Sequence, residues 1–257
     1  MELFDSHAHY DDKWFDEDRN EVLKSLPEQG VRYLVNCGTN IASSRVSIEM
    51  AQMYDFVWAA VGIHPQDAMS APDDLEGELR PLFQYDKVCA FGEIGLDYHY
   101  DFSDPIKQKD VFSRQLILAG EVQKPVIIHD REAHRDVLDM VRNERAHLSG
   151  GIFHCFSGSV EMLRDVLDLG FYVSLGGAVT FKNARRLLDV VLYVPIDRLL
   201  LETDCPYMAP EPWRGKRNDS AKMIRTAERI AEIKGLTTEE VSAAAMRNAK
   251  SFFNIQS

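Results

Sequence analysis

The sequence predicts a single α/β domain, a closed (β/α)8 barrel of the TIM type over residues 1–257. Three observations predict it. Eight short apolar, β-rich runs alternate with helical segments, and such alternation builds a parallel sheet. The connections are short, with no linker, low-complexity segment or change of composition that would mark a second domain. The length suits a barrel, because (β/α)8 domains of about 250 residues are common. Eight repeats at this length favour closure over an open doubly wound sheet.

The elements follow in order. Residues 3–9 form the first strand. Residues 16–29 form a helix with Val22, Leu23 and Leu26 on one face, stopped by Gly30. Residues 31–37 are a buried strand and 41–54 a second helix. The run 56–64 is the third strand, and a helix covers 73–84. Residues 88–93 are the fourth strand. The long helix 105–122 keeps a helical period through Val111, Phe112, Gln115, Leu116, Ala119 and Val122. Residues 125–129 are the fifth strand, and a helix centres on Val137, Leu138 and Val141. Residues 151–154 are the sixth strand, followed by a helix marked by Leu163, Val166 and Leu167. The seventh strand is 171–175, a helix spans 184–191, and the eighth strand is 198–202. Two C-terminal helices close the chain, the second opened by a Thr237-x-x-Glu240 capping box.

Composition bounds the function. The net charge is -12, whereas a protein that coats DNA regardless of sequence would be basic. An enzyme that meets phosphate through bound cations remains allowed, because some carboxylates would then be ligands. No run of 18 apolar residues occurs, so no membrane span is expected. Met1-Glu2-Leu3-Phe4-Asp5 has neither a basic nor an apolar leader region. The four cysteines (Cys37, Cys89, Cys155 and Cys205) are scattered and form no C-x-x-C. A reduced, cytoplasmic protein with no obligate protein partner is expected.

The polar residues are placed with a pattern. His7 and His9 share one face of the first strand, while Ala8 points away. His9, His64, Glu93, His129, His154 and Asp204 each lie at or just past the C-terminal end of an apolar strand run. In a (β/α)8 barrel those ends surround the cup that holds active sites. Imidazole and carboxylate donors suit zinc, manganese or magnesium. Four histidines and two carboxylates exceed what one ion takes while keeping an open position, so two ions bridged by a carboxylate are expected. Such a site is hydrolytic rather than structural, since no cysteine is needed as a ligand.

Several motifs carry a specific resemblance. They are Asp5-Ser6-His7-Ala8-His9, Gly62-Ile63-His64-Pro65, Gly92-Glu93-Ile94-Gly95-Leu96-Asp97-Tyr98, Ile128-His129-Asp130-Arg131, His154-Cys155-Phe156-Ser157-Gly158, Glu202-Thr203-Asp204-Cys205-Pro206 and Arg214-Gly215-Lys216-Arg217-Asn218. In this order and over essentially the whole chain, they resemble the TatD family of metal-dependent deoxyribonucleases. The resemblance implies a TIM barrel with a metal-dependent hydrolase site. It implies that His7, His9, Glu93 and Asp204 hold one divalent metal, and that Glu93, His129 and His154 hold a second, with Glu93 as the bridge. It further implies that Asp204 orients the nucleophilic water and takes its proton, and that His64 reaches the substrate phosphate. Departures are Ala8 between the first histidines, Asp219-Ser220 where Glu-Pro is common, and His99-Tyr100 after Leu96-Asp97-Tyr98.

Other residues have weaker assignments. Arg217, beside Asn218, is the better phosphate contact in its basic run. Tyr98, Tyr100, Phe102 and Trp213 fall on loops near the cup and suit stacking on the bases of single-stranded DNA. Asp5 shares the face of His7 and His9 and reads either as a support for those ligands or as a barrel-interior residue, and Asp97 could orient a ligand in the same way. Cys155 and Cys205 read as small packing residues. The expected activity is hydrolysis of DNA phosphodiesters by a water activated between two metals, Mg, Mn or Zn. The expected substrate is single-stranded or damaged DNA, attacked at strand ends. The alternative keeps the metal site and takes a carboxylic or aminoacyl ester or an amide. The amidohydrolase group that does so usually bridges its metals with a lysine after the fourth strand, where this chain has Glu93. A non-catalytic barrel ranks last, since no ligand is lost and no strongly basic face is evident.

Overall fold

Each β-rich run becomes a strand in the computed structural model, which describes residues 1–256. The strands are β1 (Leu3–Ala8), β2 (Val31–Cys37), β3 (Val57–Val61), β4 (Val88–Asp97), β5 (Val126–Arg131), β6 (Gly151–Phe153), β7 (Tyr172–Leu175) and β8 (Leu199–Leu201). The helices are α1 (Arg19–Ser25), α2 (Ile41–Met53), α3 (Leu75–Leu79), α4 (Pro105–Val122), α5 (His134–Glu144), α6 (Val160–Asp168), α7 (Arg185–Tyr193), α8 (Met223–Lys234) and α9 (Thr238–Phe253). Eight parallel strands alternating with helices are the (β/α)8 class that the sequence predicts.

The chain divides into two compact units. The first comprises Met1–Asn36, Cys155–Arg164 and Tyr172–Ser257. In it β1 pairs in parallel with β2, and β7 with β8. The last strand's continuation returns to the first strand: Ala8 bridges Cys205 in parallel, and the His9 amide donates to the Cys205 carbonyl at 2.7 Å. The Asp204 amide donates to the His7 carbonyl at 3.0 Å. Residues far apart in the chain therefore meet at one strand end. Phe4 on β1 stacks on Tyr33 of β2 and on Phe253 of α9, which buries the underside of the same strand. The capping box at the start of α9 forms as expected, with the Glu240 amide donating to the Thr237 hydroxyl oxygen.

The second unit comprises Cys37–His154 and Asp165–Phe171. Its strands β3, β4, β5 and β6 pair in parallel in chain order. Every residue of β4 is buried, which is why this strand reads as a continuous run rather than an alternation. Gly95 lies opposite His129 in the β4–β5 pairing. Its φ is 151°, and a Cβ there would stand 1.9 Å from the His129 carbonyl oxygen. Glycine thus lets β5 approach closely enough to set the height of His129. Two glutamines of α4 act as clamps. Gln115 accepts from the Ile63 amide at 2.7 Å and donates to the Ile63 carbonyl at 3.0 Å. Gln108 does the same for Asp97, at 2.8 and 2.9 Å. Gln115, which the periodic pattern groups with the apolar face, is therefore a buried polar brace beside His64.

Several element boundaries differ from the sequence reading; β3 stops at Val61 rather than 64 and β5 runs to Arg131 rather than 129. The strand expected to stop at Glu93 runs on to Asp97. The helix expected over 16–29 is the shorter α1 followed by a 3-10 turn at Pro27–Gln29. The helix expected over 73–84 is α3 followed by the 3-10 turn Arg80–Gln84. Pro27 and Pro81 explain both breaks, since proline lacks the amide hydrogen and clashes with the preceding turn.

Candidate metal centre

The first unit builds one donor cluster from β1 and the segment after β8. His7 and His9 face the same way, with their Nε2 atoms 3.0 Å apart. Asp204 Oδ1 lies 3.6 Å from His9 Nε2 and 3.9 Å from His7 Nε2. Metal bonds of about 2.0–2.2 Å put neighbouring donors about 3–3.5 Å apart, so this spacing suits a divalent cation. Asp204 has a φ of 55°, in the left-handed region that non-glycine residues seldom adopt. The bond from its amide to His7 and the bond from the Tyr207 amide to its carbonyl hold it there.

Beneath this cluster lies a second carboxylate, Asp5, fully buried. Its Oδ1 accepts from the Thr203 amide at 2.9 Å and the His7 amide at 3.3 Å. Its Oδ2 accepts from the hydroxyls of Thr203 at 2.5 Å and Ser220 at 2.7 Å. Burial pushes the Asp5 carboxyl up to about 6, against the lowering effect of Ser220 and Thr203. Asp5 therefore ties the histidine strand to the residue just before Asp204. Ser220 also hydrogen-bonds the Tyr10 hydroxyl, so the departure at Asp219-Ser220 extends this network. Glu202, buried like Asp5, accepts from the Cys155 amide at 2.7 Å and from the Ser174 hydroxyl. The sequence reading gave Glu202 and Ser220 no role. The available signal was a carboxylate at the end of a buried strand, two residues before a candidate ligand.

The second unit builds a different cluster around Glu93. Glu93 Oε1 lies 2.7 Å from His129 Nδ1, 2.7 Å from His154 Nε2 and 3.4 Å from His64 Nε2. His129 Nδ1 and His154 Nε2 are 3.2 Å apart. On the far side of the ring, His129 Nε2 donates to Asp97 Oδ2 at 3.2 Å. In a neutral ring this leaves the Nδ1 lone pair as the one that could meet a cation. Burial alone would lower the His129 pKa, but the bonds to Asp97 and Glu93 outweigh it and push the ring up to about 9. Asp97 shows the matching effect. Burial raises its carboxyl, but His129 and Gln66 outweigh that and hold it well below the usual carboxylate range. His64 is of another kind. Its Nδ1 accepts from the Gln66 amide at 3.1 Å, so a neutral ring carries its proton on Nε2. His64 is near enough to count among the donors by distance. In that tautomer its Nε2 offers a hydrogen-bond donor.

A family model described as TatD related DNase matches residues 4–254. The chain belongs to the TatD family. An uncharacterized metal-dependent hydrolase of Bacillus subtilis is 44% identical over 253 residues, covering 98% of this chain and 99% of that protein. A protein of Erwinia tasmaniensis named 3'-5' ssDNA/RNA exonuclease TatD is 31% identical, over 98% of this chain and all of that one. The crystal structure of a TatD homologue from Escherichia coli K12 superposes with a TM-score of 0.93 at 28% identity, covering 99% of this chain and 98% of that one. This chain is a TatD-type metal-dependent hydrolase with the fold of that homologue.

Within this TatD chain, Arg217, the expected phosphate contact, is engaged by the fold. Arg217 forms a two-pronged ion pair with Asp18, at 2.7 and 2.6 Å, and donates to the Trp14 carbonyl at 2.8 Å. Its guanidinium also stacks over Phe15. These contacts use the planar fork to tie down the segment before α1. Neighbouring Arg214 stacks over Phe181. Cys205 is buried, as expected, whereas Cys155 is partly exposed and has a φ of 42°. Tyr98 is anchored by its hydroxyl, which donates to Asp136 at 2.7 Å. Tyr100 and Phe102 remain exposed.

Proposed function

We propose that this TatD hydrolase cleaves phosphodiester bonds at the ends of single-stranded or damaged DNA, using two divalent cations per chain. One observation carries the reading: His7, His9 and Asp204 gather as one set of cation donors and Glu93 gathers imidazoles as another, with His64 and His129 in its group and His154 2.7 Å from its Oε1. The exonuclease name borne by the Erwinia relative supports the choice of substrate. His7, His9 and Asp204 would hold one cation, and Glu93, His129 and His154 the other. A bound pair of Mg, Mn or Zn ions supplies a nucleophilic water at neutral pH and neutralises charge at phosphorus. No helix among the described residues is long and apolar enough to cross a membrane.

The side chains divide the remaining work. The Asp204 carboxylate orients the attacking water and accepts its proton. The Nε2 hydrogen of His64 donates to a phosphate oxygen, which competes with Glu93 for it. Asp97 keeps the His129 ring in the tautomer that leaves Nδ1 for a cation. Residues 1–257 act as one catalytic domain in this reading.

The test is degradation of 5'- and 3'-labelled single-stranded oligonucleotides with each metal in turn. The expected result is a ladder shortened from one end, absent for His129→Ala. Intact DNA beside rapid turnover of carboxylic esters would move the chain to the alternative substrate class.

A further inference from the structure

We infer that Tyr100, Phe102 and Arg131 form a nucleotide-holding platform, on which a base stacks while the guanidinium takes a phosphate. The inference rests on the proposed nuclease reading and assigns the residues that hold its substrate. The rings of Tyr100 and Phe102 are stacked, with centroids 5.3 Å apart and planes within 13°. They are 40% and 64% exposed. Packing into the core would have stabilised each ring more than this placement does, so their exposure needs another cause. The Arg131 guanidinium lies 4.9 Å from the Tyr100 ring centroid. It makes no ion pair with an acid among the described residues. An exposed arginine without a carboxylate, in a chain of net charge -12, suits an anionic ligand.

Position and rigidity strengthen the case. Arg131 ends β5, two residues after His129. The platform hangs from the carboxylate that orients His129. Asp97 Oδ1 accepts from the His99 and Tyr100 amides at 3.0 and 3.1 Å, while Oδ2 faces His129. The far end of the loop is pinned as well. The Ser103 hydroxyl donates to the Gln66 carbonyl at 2.8 Å, and Gln108 donates to the Ser103 carbonyl at 2.9 Å. Asp104 then caps α4. The aromatic faces are therefore held in place before any ligand arrives, which lowers the entropic cost of binding. Parallel ring faces beside a cation are the features that hold single-stranded nucleic acid with little sequence preference.

The test compares an ordinary single-stranded oligonucleotide with one whose terminal nucleotides are abasic. For the metal-loaded wild type, kcat/KM should favour the base-bearing substrate. In Phe102→Ala and Tyr100→Ala that preference should shrink about tenfold, mainly through KM. In Arg131→Gln the slope of log KM against log salt should fall by about 0.7. Tyr85→Ala removes an exposed aromatic ring elsewhere and should keep the preference. Equal losses on both substrates would mean a structural role and overturn the inference. A second readout is independent of hydrolysis. A 2-aminopurine oligonucleotide should be quenched by wild type at low salt and not by Phe102→Ala. If nothing is cleaved but this difference persists, the nuclease reading fails and the platform stands. If quenching is the same in both proteins, the platform fails.

Discussion

The two donor clusters are organised in opposite ways. In the first, two imidazoles and Asp204 gather at a strand end, and the supporting carboxylate, Asp5, touches only backbone amides and hydroxyls. In the second, three imidazoles surround Glu93, and the supporting carboxylate, Asp97, bonds the His129 ring directly. The first is positioned by its backbone and the second by a proton. Damage to the first support should therefore appear as lost stability. Damage to the second should appear as lost metal affinity.

The largest expected effect is at the centre of the second cluster. Glu93→Gln should lower activity by more than about 100-fold and remove cation from the His129–His154 cluster, as elemental analysis after desalting would report. A fully loaded, active Glu93→Gln enzyme would remove Glu93 from the ligand set. Next comes Asp97→Asn, which frees the His129 tautomer. Calorimetric titration should show affinity at one of two sites weakened by about 10- to 100-fold, with the other unmoved. Equal weakening of both sites would erase the distinction between the clusters. Asp5→Ala should instead act on folding. Leaving Thr203, Ser220 and two amides without their buried acceptor should cost about 1–3 kcal/mol in urea unfolding of the metal-free protein. The smallest effect belongs to Arg217→Ala. Its partly exposed pair with Asp18 should contribute at most about 1 kcal/mol of stability, and KM for an oligonucleotide should stay within about twofold. A large rise in KM would support the phosphate role that the sequence suggests.

Much of this was legible in the sequence because strand ends are. Apolar runs that stop at a histidine or a carboxylate mark the loop-facing part of a parallel strand, even where, as at Glu93 and His129, the strand itself runs on. That pattern alone singles out His9, His64, Glu93, His129, His154 and Asp204. Helix limits were legible where caps are explicit, as at Pro105 and Thr237, and less so where Pro27 and Pro81 interrupt an otherwise periodic stretch. Partners of ligands were harder to see. Glu202 and Ser220 lie far along the chain from the residues they brace, and only folding brings Ser220 to Asp5. The Arg217–Asp18 pair was hidden for the same reason. A basic run beside a ligand loop gives no sign that Asp18 waits across the fold to take the guanidinium.

The central claim is that each cluster holds one cation. Metal counting by elemental analysis on wild type, His9→Ala, His129→Ala and the double variant, each saturated with manganese and then desalted, tests it most directly. The account predicts two ions per wild-type chain, one in each single variant and none in the double. One ion in the wild type, or loss of both ions from either single variant, would contradict it.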